Sequence, residues 1–411
     1  MKNRLHLIYI SVLLTVCTAL LNGCGQQLQK NHGESDGETY IQQGDTVYRG
    51  GMQRGKPHGF GILTVGDSLI YAGEWQHGKR EGKGFSRDAV GRKVVGKWNA
   101  DTLVSGRRED GIKVYQGGFN KKMEATGHGI EENAEGDYYE GHWTHDQRDG
   151  QGFALEGRRH IEVGEWRANR HLGQRVKYSS ERIYGIDISK YQHVIGKRTY
   201  PIDWKKLRII HLGDASKKTI NGKVDYPISF IYIKSTEGST LLNPFYHADY
   251  RAARSHGYHV GTYHFFSIHS SAEQQARHFL KHSKIVKGDF PPVLDVEPSH
   301  EQIKKMGGAE VMFARIRTWL KIVEQQTGIR PVLYISQIFV NKYLPLAPDI
   351  KQNYDIWIAR YGEYKPDVRL LYWQLGQDGR VSGIRGYVDI NVFNGYRDAY
   401  DEFLENYEIK K

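Results

Sequence analysis

Asp295 and Glu297 stand two residues apart in Phe290-Pro-Pro-Val-Leu-Asp-Val-Glu-Pro298. Val293, Leu294 and Val296 favour an extended strand, and prolines bracket the run. Side chains alternate along a strand, so the two carboxylates share one face. Their spacing along it is about 6.6–7 Å. Two acids so placed can face one small substrate, one giving a proton and the other stabilising charge. A lone Asp-x-Glu is more often a solvated strand end, because charged side chains sit outside. The elements around this one decide which reading holds.

Residues 180–411 alternate between strand and helix patterns. Strands are expected at Tyr184–Ile188, Ile228–Lys234, His259–Phe266, Pro292–Glu297, Val332–Ile335, Asp355–Ala359, Leu370–Gln374 and Tyr387–Asn391. Helical periodicity lies between several of them, at Tyr246–His256, Ala272–Ile285 and Val311–Thr327, the last closed by Gly328. The alternation predicts an α/β fold, an irregular (β/α)8-like barrel, whose chemistry sits at the C-terminal strand ends. Acids accumulate there: Asp187, Asp295, Glu297 and Asp389. Tyr263, Phe265, Tyr334, Trp357, Arg360, Trp373 and Gln374 join them. Carboxylates rimmed by aromatics describe a carbohydrate cleft. His264, His269 and His278 lack convincing ligand spacing with a third donor, so neither a metal nor a cofactor is expected. His264 is out of phase with Tyr263 and Phe265 and should point away from the barrel interior.

The same residues carry a family resemblance. Tyr184-Gly-Ile-Asp-Ile-Ser-Lys-Tyr-Gln192, Phe230-Ile-Tyr-Ile-Lys-Ser-Thr-Glu-Gly238, Gly261-Thr-Tyr-His-Phe-Phe266, Pro292-Val-Leu-Asp-Val-Glu297, Trp357-Ile-Ala-Arg-Tyr-Gly362 and Val388-Asp-Ile-Asn-Val-Phe-Asn394 resemble family 25 glycoside hydrolases, lysozymes that cut peptidoglycan. The resemblance implies Glu297 as general acid, with Asp187, Asp295 and Asp389 as the other site carboxylates. It further implies that the substrate's own 2-acetamido group is the nucleophile, with Asp295 orienting it. The sequence departs from the pattern at 196–201 and 211–226, both expected as surface loops that bear on subsite shape.

Residues 45–175 repeat. Tyr48-Arg-Gly-Gly-Met52, Tyr71-Ala-Gly-Glu-Trp75, Val94-Val-Gly-Lys-Trp98, Tyr115-Gln-Gly-Gly-Phe119, Tyr139-Glu-Gly-His-Trp143 and Glu162-Val-Gly-Glu-Trp166 begin 21 to 24 residues apart. Aromatic-x-Gly-x-aromatic has period 2, and glycines mark the turns, so each unit reads as a β-hairpin. One hairpin cannot bury its aromatic face alone, so successive units must pair into a long sheet. The pattern resembles MORN repeats. Its aromatics are read as packing, and the domain as a spacer or a contact module for protein or lipid.

Ahead of the repeats, Met1-Lys-Asn-Arg4 is basic, 5–21 is largely apolar, and Leu21-Asn-Gly-Cys24 follows. This has the layout of an export signal and resembles a bacterial lipoprotein box. The resemblance implies that residues 1–23 are removed and that Cys24 is lipidated. Residues 24–44 then form a flexible tether. Cys17 and Cys24 are the two cysteines of the 411 residues, so no disulfide framework braces the domains. The formal charge of +11 favours loose attraction to anionic polymers or surfaces. No zinc spacing, basic helix or RNA-binding motif points to nucleic acid.

Three functions fit these features. The first is a membrane-anchored muramidase, exported and held at the outer membrane, on its periplasmic face, or at the cell surface. The second is a non-catalytic peptidoglycan-binding lipoprotein, against which all four acids argue. The third is a structural protein dominated by its repeats. The polar linker 174–182 further suggests that a barrel starting near Ser180 folds without them.

Overall fold

The computed structural model describes residues 39–88, 90–157, 159–174, 176–213, 223–359 and 367–407. The lipoprotein motif at Cys24 and the tether up to residue 38 lie outside them.

The repeats form one sheet of thirteen antiparallel strands in chain order, from Thr39–Gln43 to Arg170–Gly173. Tyrosine over glycine is the repeating device. Gly73 and Gly84 face each other across two strands, and the Tyr71 ring lies over them. A Cβ on Gly84 would meet Tyr71 Oη at 2.4 Å, so no larger residue fits. The same phenol donates to the Glu74 carbonyl at 2.9 Å. Tyr115 and Tyr139 repeat the bond to the carbonyl three residues on. Tryptophans close the stripe edge-to-face, Trp75 and Trp98 at 5.1 and 5.4 Å from Tyr71. That is the favoured geometry of the ring quadrupoles. These rings are buried, so they are the core of the sheet. Hairpin turns need positive φ, which His77 (51°) and Gly78 (84°) supply.

The second unit is a closed barrel of eight strands: Tyr184–Ile188, Phe230–Glu237, His259–Phe265, Val293–Val296, Val332–Ser336, Ile356–Ala359, Leu370–Ser382 and Val388–Phe393. The first seven run parallel; the eighth runs antiparallel between the seventh and the first and closes the ring. Alternation divides each strand between two cores. Phe230, Tyr232, Val293, Val332, Trp357 and Tyr372 fill the inside. Ile231, Ile233, Leu294, Leu333 and Ile358 face outward, against helices that include Ala309–Thr327. That helix ends at Gly328 in the left-handed region (φ 72°).

The expected α/β class, an irregular (β/α)8-like barrel, is overturned. The chain is mostly β, and the described residues hold seven α-helices for both units. Two connections explain the difference. Between the first and second barrel strands no α-helix is described. Strands Arg208–His211 and Lys223–Tyr226 pair there instead, the former with the far end of the seventh strand. The seventh and eighth strands are joined by the turn 383–387, too short for a crossover, so the eighth must return antiparallel.

The repeat sheet is docked against the barrel end opposite the parallel strands' C-termini. Gln151 N–H donates to Asn394 Oδ1 at 2.9 Å, and Asn120 Nδ2 to Glu402 Oε1 at 2.6 Å. His142 packs edge-to-face on Phe393. Asp149 is buried beside the Tyr396 amide, and burial pushes its carboxyl up to about 7. A folded value above the unfolded one favours the protonated fold. Stability from this group therefore falls as pH rises from about 4 to about 7. His142, depressed to about 4 by burial, acts oppositely below its unfolded value. Asp149→Asn should therefore remove a downward slope and leave His142's upward one. In melting scans from pH 4 to 8, the variant should gain on wild type steadily toward pH 7. A constant difference would refute this.

Candidate active site

Three strand ends bring the four acids together. Asp187 and Asp389 are directly opposed in the pairing of the first and last strands, which puts their Cβ atoms about 4.5–5.5 Å apart. Asp295 lies in register between Phe265 and Tyr334 on the neighbouring strands. Glu297 follows the fourth strand by one residue and is exposed, whereas Asp295 is buried. Tyr263 and Tyr334 mark the convergence. Burial raises both phenols, and the fields of all four carboxylates raise them further.

The acids differ in their surroundings. Asp187 Oδ2 accepts from Asn391 Nδ2 at 2.8 Å, and Asn391 Oδ1 accepts from Trp357 Nε1 at 3.1 Å. The indole thus fixes which way the amide points. Burial, then Asp389, push the Asp187 carboxyl well above the usual range, with the Asn391 bond opposing. Asp295 is pushed well up by burial and then by Glu297, with Lys234 opposing. Its buried Oδ1 has no hydrogen-bond partner among the described residues, so Lys234 is left to favour the ionised form without help from a hydrogen bond to that oxygen. Lys234 Nζ sits 2.7 Å from Glu237 Oε2 and 4.5 Å from the Phe265 ring centroid. Burial first, and the neighbouring carboxylates second, thus shift Asp187 and Asp295 toward their protonated forms.

The aromatic residues expected as a sugar rim are distributed otherwise. Trp357 is 1% exposed and Tyr334 9%; they form the buried floor, where Tyr334 Oη donates to Gln374 Oε1 at 3.0 Å. Phe265 is half-buried beneath Lys234. Trp373 is not brought to the cleft. It lies in the outer core, 5.6 Å from the Arg182 guanidinium, because Tyr372 and Gln374 occupy the inward positions. Arg360 lies outside the described residues. His264 points outward as expected, bonded to Thr236 Oγ1 and Gln275 Oε1 and stacked on Trp319.

Sequence reasoning passed over Lys234 and Asn391. Each had a signal. Lys234 shares the inward parity of Phe230 and Tyr232 in an otherwise apolar run, and Asn391 lies two residues from Asp389. A buried amide or ammonium on an acid-lined face has to serve those acids.

A cluster of carboxylates, one exposed and the others walled in, at the open end of a closed barrel is the equipment of a glycoside hydrolase. The chain belongs to family 25 of these enzymes. The family profile, Glycosyl hydrolases family 25, matches residues 186–384, taking in Asp187, Asp295 and Glu297 and stopping short of Asp389. MORN repeat profiles match 48–67, 71–91 and 139–153. The uncharacterized protein YegX of Escherichia coli (strain K12) is 34% identical over 230 residues, 55% of this chain and 75% of that protein. The N,O-diacetylmuramidase of Arthroderma benhamiae is 30% identical over 186 residues, 43% of this chain and 77% of the other. A family 25 glycosyl hydrolase structure from Bacillus anthracis aligns with TM-score 0.44 and 25% identity over 57% of this chain and 96% of its own.

Proposed function

We propose that the chain cleaves the β-1,4 bond between N-acetylmuramic acid and N-acetylglucosamine in peptidoglycan. The single observation that carries this is the meeting of Asp187, Asp295, Glu297 and Asp389 at one barrel end. Membership of family 25, with a muramidase among its relatives, supports the substrate. Glu297, at the exposed edge, gives its proton to the glycosidic oxygen as the bond to C1 breaks. The carbonyl oxygen of the substrate's 2-acetamido group closes on C1, and Asp295 stabilises the resulting cation through the amide N–H. Water then opens the ring, and its proton returns to Glu297. Asp187 and Asp389 hold the adjoining wall of the cleft. Digestion of purified peptidoglycan should release fragments whose reducing end is N-acetylmuramic acid. Reducing N-acetylglucosamine would make the chain a glucosaminidase.

The repeats carry reach in this reading. Thirteen strands about 4.8 Å apart span roughly 55–60 Å; the barrel docks along the later ones, between Asn120 and Glu165, and the earlier strands extend beyond it. The lipoprotein motif supports export and anchoring through a lipid on Cys24, placing the barrel over the wall. Cys24→Ala should move the protein from the detergent phase to the aqueous phase. Unchanged partitioning, with residues 1–23 still attached by mass, would indicate an uncleaved anchor instead.

A further inference from the structure

Above the opposed pair Asp187 and Asp389, the cleft carries a rim of the opposite sign. Lys190 and Tyr191 follow the end of the first barrel strand, and Tyr387 directly precedes the last. Gln192 ties the two together, its Nε2 donating to the Tyr387 carbonyl at 3.1 Å. The hairpin 194–199, where the sequence departs from the family pattern, packs on the same segment; a Cβ on Gly386 would meet Ile195 Cδ1 at 3.2 Å. Three cations stand here over three tyrosines. Lys190 Nζ is 5.3 Å from the Tyr191 centroid, Arg380 Cζ 4.1 Å from Tyr387, and Arg385 Cζ 4.5 Å from Tyr200.

All three cations are exposed, and none forms an ion pair with a carboxylate among the described residues. Other exposed arginines on this chain do form one: Arg208 pairs with Asp225, and Arg330 with Glu324. Stacking on a ring holds a guanidinium in place while leaving its N–H groups free to bind an anion. A cluster of acids at the cleft floor repels any anionic substrate, so fixed cations at its edge serve to admit one.

We propose that this rim is a subsite for the free carboxylates of the peptide branches carried on alternate sugars of the glycan. The inference rests on the peptidoglycan reading above. It makes the chain selective for peptide-bearing strands over bare ones.

The test is binding by the full chain carrying Glu297→Gln, so that the strands survive the measurement. Its ligands are peptidoglycan strands with their peptides intact and strands stripped of them by an amidase. Peptide-bearing strands should bind more tightly, and salt should erase the difference. Adding Arg380→Gln and Arg385→Gln should weaken binding to peptide-bearing strands about three- to tenfold and leave bare strands unaffected. Lys190→Gln should act in the same direction. The inference is overturned if both strands bind equally, or if the preference survives the arginine changes. It is also overturned if those changes weaken both strands alike, the mark of a disturbed cleft. Binding to neither strand would instead overturn the substrate reading, and the subsite with it.

Discussion

Glu297→Gln is expected to lower turnover on peptidoglycan by about 10²–10⁴-fold, the usual worth of a positioned proton donor. Glycan binding should be kept, because the amide preserves the side chain's shape. The effect is large because Glu297 alone of the four acids stands exposed at the cleft edge, where it can reach a glycosidic oxygen. Asp295 is walled between Phe265 and Tyr334 below it. Asp295→Asn should also cut turnover, through loss of the charge that steadies the acetamido-derived cation. Cleavage near the wild-type rate by Glu297→Gln would refute the assignment.

The acids were legible in the sequence because period-2 alternation and strand ends locate them without any knowledge of the fold. Asp187, Asp295 and Asp389 each lie on a strand whose apolar residues declare its inward and outward faces. The same rule, applied strictly, separates Trp373 from Gln374, since neighbours on a strand cannot share a face. The direction of the last strand was not legible. Its antiparallel return depends on the shortness of the turn 383–387 and on the seventh strand running 13 residues to Ser382. Nor was the pairing of Arg208–His211 with Lys223–Tyr226, around a stretch expected as a surface loop, since short β-rich runs pair with whatever edge the fold presents. The docking of the repeats was hidden most fully. Gln151 and Asn394 meet across 243 residues, and no local pattern announces such a contact.

The linker shows what that omission hides, and sets the last expectation. Arg182, in a stretch read as polar tether, has a fully buried side chain paired with buried Glu165 of the repeat sheet. Its guanidinium also lies 4.8 Å from the Tyr396 ring centroid, and Arg167 stacks on that ring at 4.5 Å. Removing one partner of a buried ion pair strands the other, typically at a cost of about 3–5 kcal/mol. Glu165→Ala should therefore lower the melting temperature sharply, and a barrel beginning near Ser180, which lacks Glu165 altogether, should be less stable than the barrel in the intact chain. The pair is not itself a net gain. Burial raises the Glu165 carboxyl although Arg182 opposes the rise, so desolvation outweighs the attraction between them. Its stabilising share is thus greatest at low pH and declines as pH climbs through its raised folded value. Replacing both residues together, Glu165→Leu with Arg182→Met, should recover most of the loss, because no charge is left stranded. Melting of the two single variants and the double one decides it. If Glu165→Ala melts with wild type, or if the double variant is as unstable as the sum of the singles, the pair does not couple the sheet to the barrel.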